Sequence, residues 1–121
     1  MPIHTVLVVD DSPTERHYLS DILRQQGYAV LSAASGEEAI AVAKTQRPDL
    51  ILMDVVMPGL NGFQATRMLS RDTDTQNIPV IMCTSKGQET DRIWGLRQGA
   101  VEYLVKPIDP AELVAKIKAL G

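Results

Sequence analysis

The sequence predicts a doubly wound α/β fold built on a five-stranded parallel sheet, and three observations carry that reading. Five short apolar runs recur along the 121 residues, each followed by turn residues and then a longer amphipathic stretch. The runs are apolar on consecutive residues, not alternate ones, which is the pattern of strands buried on both faces. Strict alternation of strand and helix requires right-handed crossovers, which lay the strands parallel.

The first strand is Thr5 to Val9. Ser12 then caps a helix, with Glu15 three residues on and Pro13 at the first helical position, where a missing N–H costs nothing. Tyr18, Leu19, Ile22 and Leu23 give that helix one apolar face, and Gly27 suits a left-handed C-cap. Ala29 to Ala33 is the second strand, and Ser35 with Glu38 opens the second helix. Leu50 to Met53 is the third strand, followed by a helix start at Asn61 with Gln64. Val80 to Cys83 is the fourth; its helix has Ile93 as a core position and ends at Gly99. Tyr103 to Val105 is the fifth, and Asp109 with Pro110 and Glu112 starts a last helix whose apolar face is Leu113, Val114, Ile117 and Leu120. In each capping pair the Glu or Gln is expected to reach back to the cap's own backbone N–H.

Composition narrows the function. Lys plus Arg number 12 against 15 Asp plus Glu, a net charge of −3, which gives no bulk attraction to nucleic acid or to an anionic membrane. Apolar runs such as Leu50 to Met53 are too short to span a bilayer, and Met1-Pro2-Ile3-His4 has neither the basic start nor the apolar stretch of a signal peptide. A cytoplasmic protein is expected. Cys83, the single cysteine, forms no disulfide framework and reads as a small buried hydrophobe. His4 and His17 have no ligand constellation, and Met53, Met57 and Met82 read as adaptable packing. At this length one domain, residues 1–121, is expected, with five βα units leaving nothing for an output domain.

In doubly wound sheets ligands bind beyond the carboxyl ends of the strands. Asp10 and Asp11 follow the first strand, Asp54 the third, Thr84 the fourth, and Lys106-Pro107 the fifth. Each alone is bland: an Asp-Asp turn, a cap threonine, a surface lysine. Together they deliver three carboxylates, a hydroxyl and an ammonium to one edge. Converging carboxylates repel one another and call for a cation, and hard oxygens without His or Cys suit Mg²⁺. Lys106 and Thr84 suit a phosphoryl group beside that ion, and a nucleophilic Asp54 completes an acyl-phosphate site.

The run Val8-Val9-Asp10-Asp11-Ser12, the run Met53-Asp54-Val55-Val56-Met57-Pro58-Gly59, the pair Thr84-Ser85 and the segment Tyr103-Leu104-Val105-Lys106-Pro107 resemble, in order and spacing, the receiver domains of two-component response regulators. The resemblance spans the whole chain and implies a flavodoxin-like strand order 2-1-3-4-5. It implies that Asp54 is the phosphoacceptor, loaded from a sensor histidine kinase or a phosphotransfer protein. Asp10 or Asp11, with Asp54 and the backbone carbonyl of Val56, would hold the magnesium ion. It further implies that Thr84 moves toward the phosphoryl group while Tyr103 turns inward, and that Lys106-Pro107 is cis, where base rates alone favour trans. Without the resemblance, Tyr103 is a strand residue with its ring packed and its hydroxyl in solvent. Segments such as Asp11-Ser12-Pro13-Thr14-Glu15 and Trp94-Gly95-Leu96-Arg97-Gln98-Gly99-Ala100 carry a closer likeness to stand-alone regulators of the PilH type, which serve chemosensory control of type IV pili and twitching motility.

On this reading a monomer signals to a protein effector through the fourth helix, fifth strand and fifth helix, with Tyr103 on that face. Trp94 reads first as half-buried packing and second as an anchor there. Val56 and Lys86, each two residues beyond a site residue, bear on phosphoryl lifetime: an apolar Val56 cannot position an attacking water, so self-dephosphorylation is expected to be slow. Asp10 and Asp11 would repel a flavin phosphate. After the first strand, Asp10-Asp11-Ser12 does not supply the Asp-x-Asp of an aspartyl phosphatase, and no Gly-x-x-x-x-Gly-Lys nucleotide-binding loop is present. A phosphate sink for a sister regulator, or a binding module that works without phosphate, are the remaining alternatives.

Overall fold

The computed structural model describes residues 2–121, so Met1 of the N-terminal reading lies outside the described residues. Strands β1 (Thr5–Val9), β2 (Ala29–Ala33), β3 (Leu50–Met53), β4 (Val80–Thr84) and β5 (Glu102–Val105) alternate with helices α1 (Pro13–Gln25), α2 (Gly36–Gln46), α3 (Gly62–Arg71), α4 (Glu89–Arg97) and α5 (Pro110–Leu120). One parallel sheet results, in the order β2-β1-β3-β4-β5.

Successive strand residues point to opposite faces, so a strand between two helix layers must be apolar at every position. In β1, Val6 and Val8 join Leu19, Leu23, Leu113 and Ile117 of α1 and α5, whereas Leu7 and Val9 join Ala39, Ala43, Ala65 and Leu69 of α2 and α3. β1, β3 and β4 are buried in this way, apart from a half-buried Thr5. The edge strands depart from the expectation: Ala29 and Val105 are exposed, because an edge strand has a sheet neighbour on one side only.

All four expected N-caps accept from the N3 backbone N–H: Ser12 from Glu15 (3.3 Å), Ser35 from Glu38 (3.1 Å), Asn61 from Gln64 (2.9 Å) and Asp109 from Glu112 (3.1 Å). The return bond to the cap's own N–H, expected of all four, forms at Asn61, which donates to Gln64 at 3.0 Å. Ser12 instead donates to Asp10 Oδ1 (2.9 Å), and Glu38 takes the Ala34 N–H. Gly27 and Gly99 end α1 and α4 at φ +90° and +117°. α2 ends without a glycine, at Arg47 with φ 47°, where Pro48 bars the helix from continuing. Lys106-Pro107 is cis.

Three positions expected to face the core are corrected. Ile93 is exposed, and the buried residue of α4 is Gly95, two positions on and therefore about 200° around the helix. Leu120, in the last turn of α5, and Tyr18 of α1 are also exposed, the Tyr18 hydroxyl donating to the Ile108 carbonyl (2.8 Å).

Candidate functional site

The ladder bonds continue one residue past the strands and fix what comes next. Asp10 N–H donates to Ala33 (3.2 Å), Asp54 N–H to Val9 (2.9 Å), and Lys106 N–H to Thr84 (2.8 Å). Three separate segments are thereby held by backbone at one sheet edge, with the site side chains set just beyond it. The first turn of α3 presses against the same place. A Cβ on Gly62 would collide with the Asp54 carbonyl, and the Gly62 N–H donates to Val55 at 2.9 Å.

Asp10 and Asp54 are buried, at 1% and 6% exposure, and Asp11 is exposed; each offers an oxygen within 4.8 Å of the others. Lys106 Nζ lies 2.8 Å from Asp10 Oδ2, 3.6 Å from Asp54 Oδ1 and 3.8 Å from Glu15 Oε2. Asp10 also accepts the Ser12 N–H at Oδ1, while its backbone carbonyl accepts from Arg16 (2.7 Å). Burial, then the charge of Asp10, pushes the Asp54 carboxyl up to about 6, against the opposing pull of Lys106. Burial works against the Lys106 ammonium as well, but its hydrogen bond to Asp10 and the charges of Asp54, Asp10 and Glu15 outweigh that and raise its pKa. With one ammonium facing two buried carboxylates, the site has room in its charge balance for a cation, and its donors are hard oxygens that fit magnesium.

Thr84 is fully buried, and its hydroxyl accepts the Lys86 N–H at 3.2 Å. The Lys86 carbonyl accepts the Tyr103 hydroxyl at 2.6 Å. The ring of Tyr103 is 7% exposed, so its hydroxyl is not in solvent as ring packing alone suggested, and burial pushes its pKa to about 12. One residue, Lys86, thus connects Thr84 to Tyr103, through its N–H on one side and its carbonyl on the other. Val56 and the Lys86 side chain are exposed beside the site, and Trp94 is exposed on α4 at 48%. Cys83 is buried with its thiol pushed up to about 12 by desolvation, and so is unreactive.

Sequence reasoning missed three participants and the backbone role of a fourth. Glu15, read as a cap partner, faces Lys106; Arg16 holds the Asp10 carbonyl; Gly62 admits α3 to the Asp54 backbone; and Lys86, expected to bear on phosphoryl lifetime, joins Thr84 to Tyr103 through its own N–H and carbonyl. Only Gly62 left a signal, as a glycine directly after an N-cap where a better helix former is usual.

The family described as "Response regulator receiver domain" matches residues 6–118. The chain is 53% identical over 115 residues to protein PilH of Pseudomonas aeruginosa, covering 95% of each. It is 44% identical to the phosphate regulon transcriptional regulatory protein PhoB of the same species, across 96% of this chain and 51% of that one, so it spans about half the length of that relative. Among solved structures, the receiver domain of a P. aeruginosa sensor histidine kinase, with a magnesium ion coordinated in its active-site cleft, superposes with a TM-score of 0.88 at 34% identity, over 96% of this chain and 95% of that one.

Proposed function

The chain belongs to the response regulator receiver family, and from that premise we propose that it is a phosphoacceptor: Asp54 takes a phosphoryl group and the change is read at the surface. The observation that carries this is the meeting of Asp10, Asp11 and Asp54 within 4.8 Å, with Lys106 at 2.8 Å from Asp10 and 3.6 Å from Asp54. An oxygen of ionised Asp54 attacks phosphorus, the bond from phosphorus to the donor's histidine nitrogen breaks, and an aspartyl phosphate forms. With its carboxyl at about 6, Asp54 is mostly ionised at neutral pH and keeps some basicity as a nucleophile. Lys106 offsets charge on the entering group. Magnesium, held by Asp10, Asp11, Asp54 and the Val56 carbonyl, would shield the carboxylates from the phosphoryl oxygens.

The Thr84 hydroxyl already accepts from Lys86 and keeps its proton to donate to a phosphoryl oxygen. Its movement pulls on the N–H of Lys86, the residue whose carbonyl Tyr103 clasps. The message leaves through α4, β5 and α5, where Ile93, Trp94 and Val105 are exposed, to a protein partner. Catalysis here is self-modification, not turnover. Likeness to PilH supports a role in pilus-driven motility, with a histidine kinase or phosphotransfer protein as donor and a cytoplasmic monomer as the working form. No described helix is long and apolar enough to cross a membrane. Acetyl phosphate with magnesium is expected to add one phosphoryl mass to the wild type and none to Asp54→Asn. Equal labelling of both would overturn the assignment of Asp54.

A further inference from the structure

The ring of Tyr103 packs among Val55, Met82 and Ala100, with Phe63 and Leu96 against them. α4 crosses this cluster at Gly95. A Cβ there would stand 2.7 Å from Met82 Sδ, 2.9 Å from Tyr103 Cδ2 and 3.0 Å from Cε2, whereas non-bonded carbon atoms settle near 3.5–4.0 Å. Gly95 sits inside a regular helix, with none of the positive φ seen at Gly27 or Gly99, so no turn requires glycine. A glycine inside a helix is less favourable than alanine. What this one provides is space.

We propose that Gly95 is a positioning residue for Tyr103: its missing side chain is the room that lets the ring lie inward and clasp Lys86, and a methyl at 95 sends the ring out to solvent. Of the groups that would crowd, Tyr103 is the one free to move. α4 is tied at its end, where Ser70 of α3 donates to the Gln98 carbonyl at 2.9 Å and Gly99 lies against the same serine. Met82 is fully buried in β4, between β3 and β5. Tyr103 is on the edge strand, with exposed Val105 two residues on. The meaning of this movement for signalling rests on Tyr103 as the readout; the movement itself does not.

The test uses the full chain labelled with 3-fluorotyrosine, whose three tyrosines give three fluorine resonances; the one lost in Tyr103→Phe is Tyr103. In the wild type its shift between H₂O and D₂O is expected to be small. In Gly95→Ala it approaches that of free fluorotyrosine, while Thr90→Ala, which improves helix propensity on the exposed side of α4, leaves it unchanged. Met82→Val, which removes Sδ, lowers the melting temperature when residue 95 is glycine and raises it when residue 95 is alanine. A Tyr103 still buried in folded Gly95→Ala, an equal response to Thr90→Ala, or the same sign for Met82→Val in both backgrounds would overturn the proposal. Labelling of the wild type by acetyl phosphate is scored separately: its failure sinks the receiver reading and leaves the position of the ring decided by fluorine.

Discussion

The centre of the sheet and its β5 edge are built for different work. β1 and β3 are walled by helices on both faces, and they carry Asp10 and Asp54 on backbone that is hydrogen-bonded to neighbouring strands. β5 and α4 leave Ile93, Trp94 and Val105 in solvent, and the Tyr103 hydroxyl between them is held by its hydrogen bond to the Lys86 carbonyl. Charge must be positioned to a fraction of an ångström to compensate, and dense packing is what fixes it. A readout must move, and sparse cover is what allows it. On the proposed function, the chemistry lies on the rigid part and the signal on the loose one.

The largest expected effect tests that division by stability. Leu52→Ala removes a fully buried side chain from β3 and is expected to cost about 3 kcal/mol or more in urea unfolding. Trp94→Ala, half exposed on α4, is expected to cost under about 1 kcal/mol despite the larger side chain. Similar losses from the two would remove the contrast between centre and edge.

Next comes the strain that the site imposes on the centre. Asp54 has its carboxyl raised to about 6 from an ordinary 3.8, so the folded state binds its proton more tightly than the unfolded chain does. Its contribution to stability is therefore present below about pH 4 and is lost as pH rises through 6. Asp54→Asn is expected to unfold like the wild type near pH 4 and to be more stable by about 2 kcal/mol at pH 7 and above, without magnesium. Magnesium should stabilise the wild type at pH 7, with a weaker effect below pH 6, where Asp54 takes up its proton. Melting curves across this range check both, and a gap between the two proteins that closes as pH rises would contradict the sign.

The division also explains what could be read in advance. Val6 to Val9 announce a two-faced strand because each residue meets a different helix layer, and Asp10, Asp54, Thr84 and Lys106 stand directly after their strands. Order along the chain reveals such positions. It does not reveal pairings decided by one turn of helix or one rotamer. Glu15 turns to Lys106 because the Ser12 N–H is already taken by Asp10. Ile93 faces solvent because α4 lies at the edge and presents little more than Gly95 and Leu96 to the sheet. Lys86 works through its backbone N–H and carbonyl, which side-chain identity does not encode.

A smaller effect sharpens the edge. Tyr103→Phe keeps the ring and leaves the Lys86 carbonyl without its donor, which is expected to cost about 1 kcal/mol. Tyr103→Ala is expected to leave phosphoryl uptake at Asp54 intact and to weaken capture of a partner by the phosphorylated form. Loss of uptake would place Tyr103 in the chemistry and not in the readout.

The smallest change in stability lies beside the proposed phosphoacceptor. Val56 is 56% exposed, so Val56→Asn should alter unfolding by no more than about 0.5 kcal/mol. Its consequence is kinetic. Hydrolysis of an aspartyl phosphate needs a water in line with the bond to be broken, and a valine offers that water no hydrogen bond, whereas an amide does. The phosphoryl half-life of the wild type, followed after acetyl phosphate is removed, is expected to be several-fold longer than that of Val56→Asn. An unchanged or longer half-life in the variant would mean that the attacking water is held by other groups, with Lys86, also exposed, the next to test.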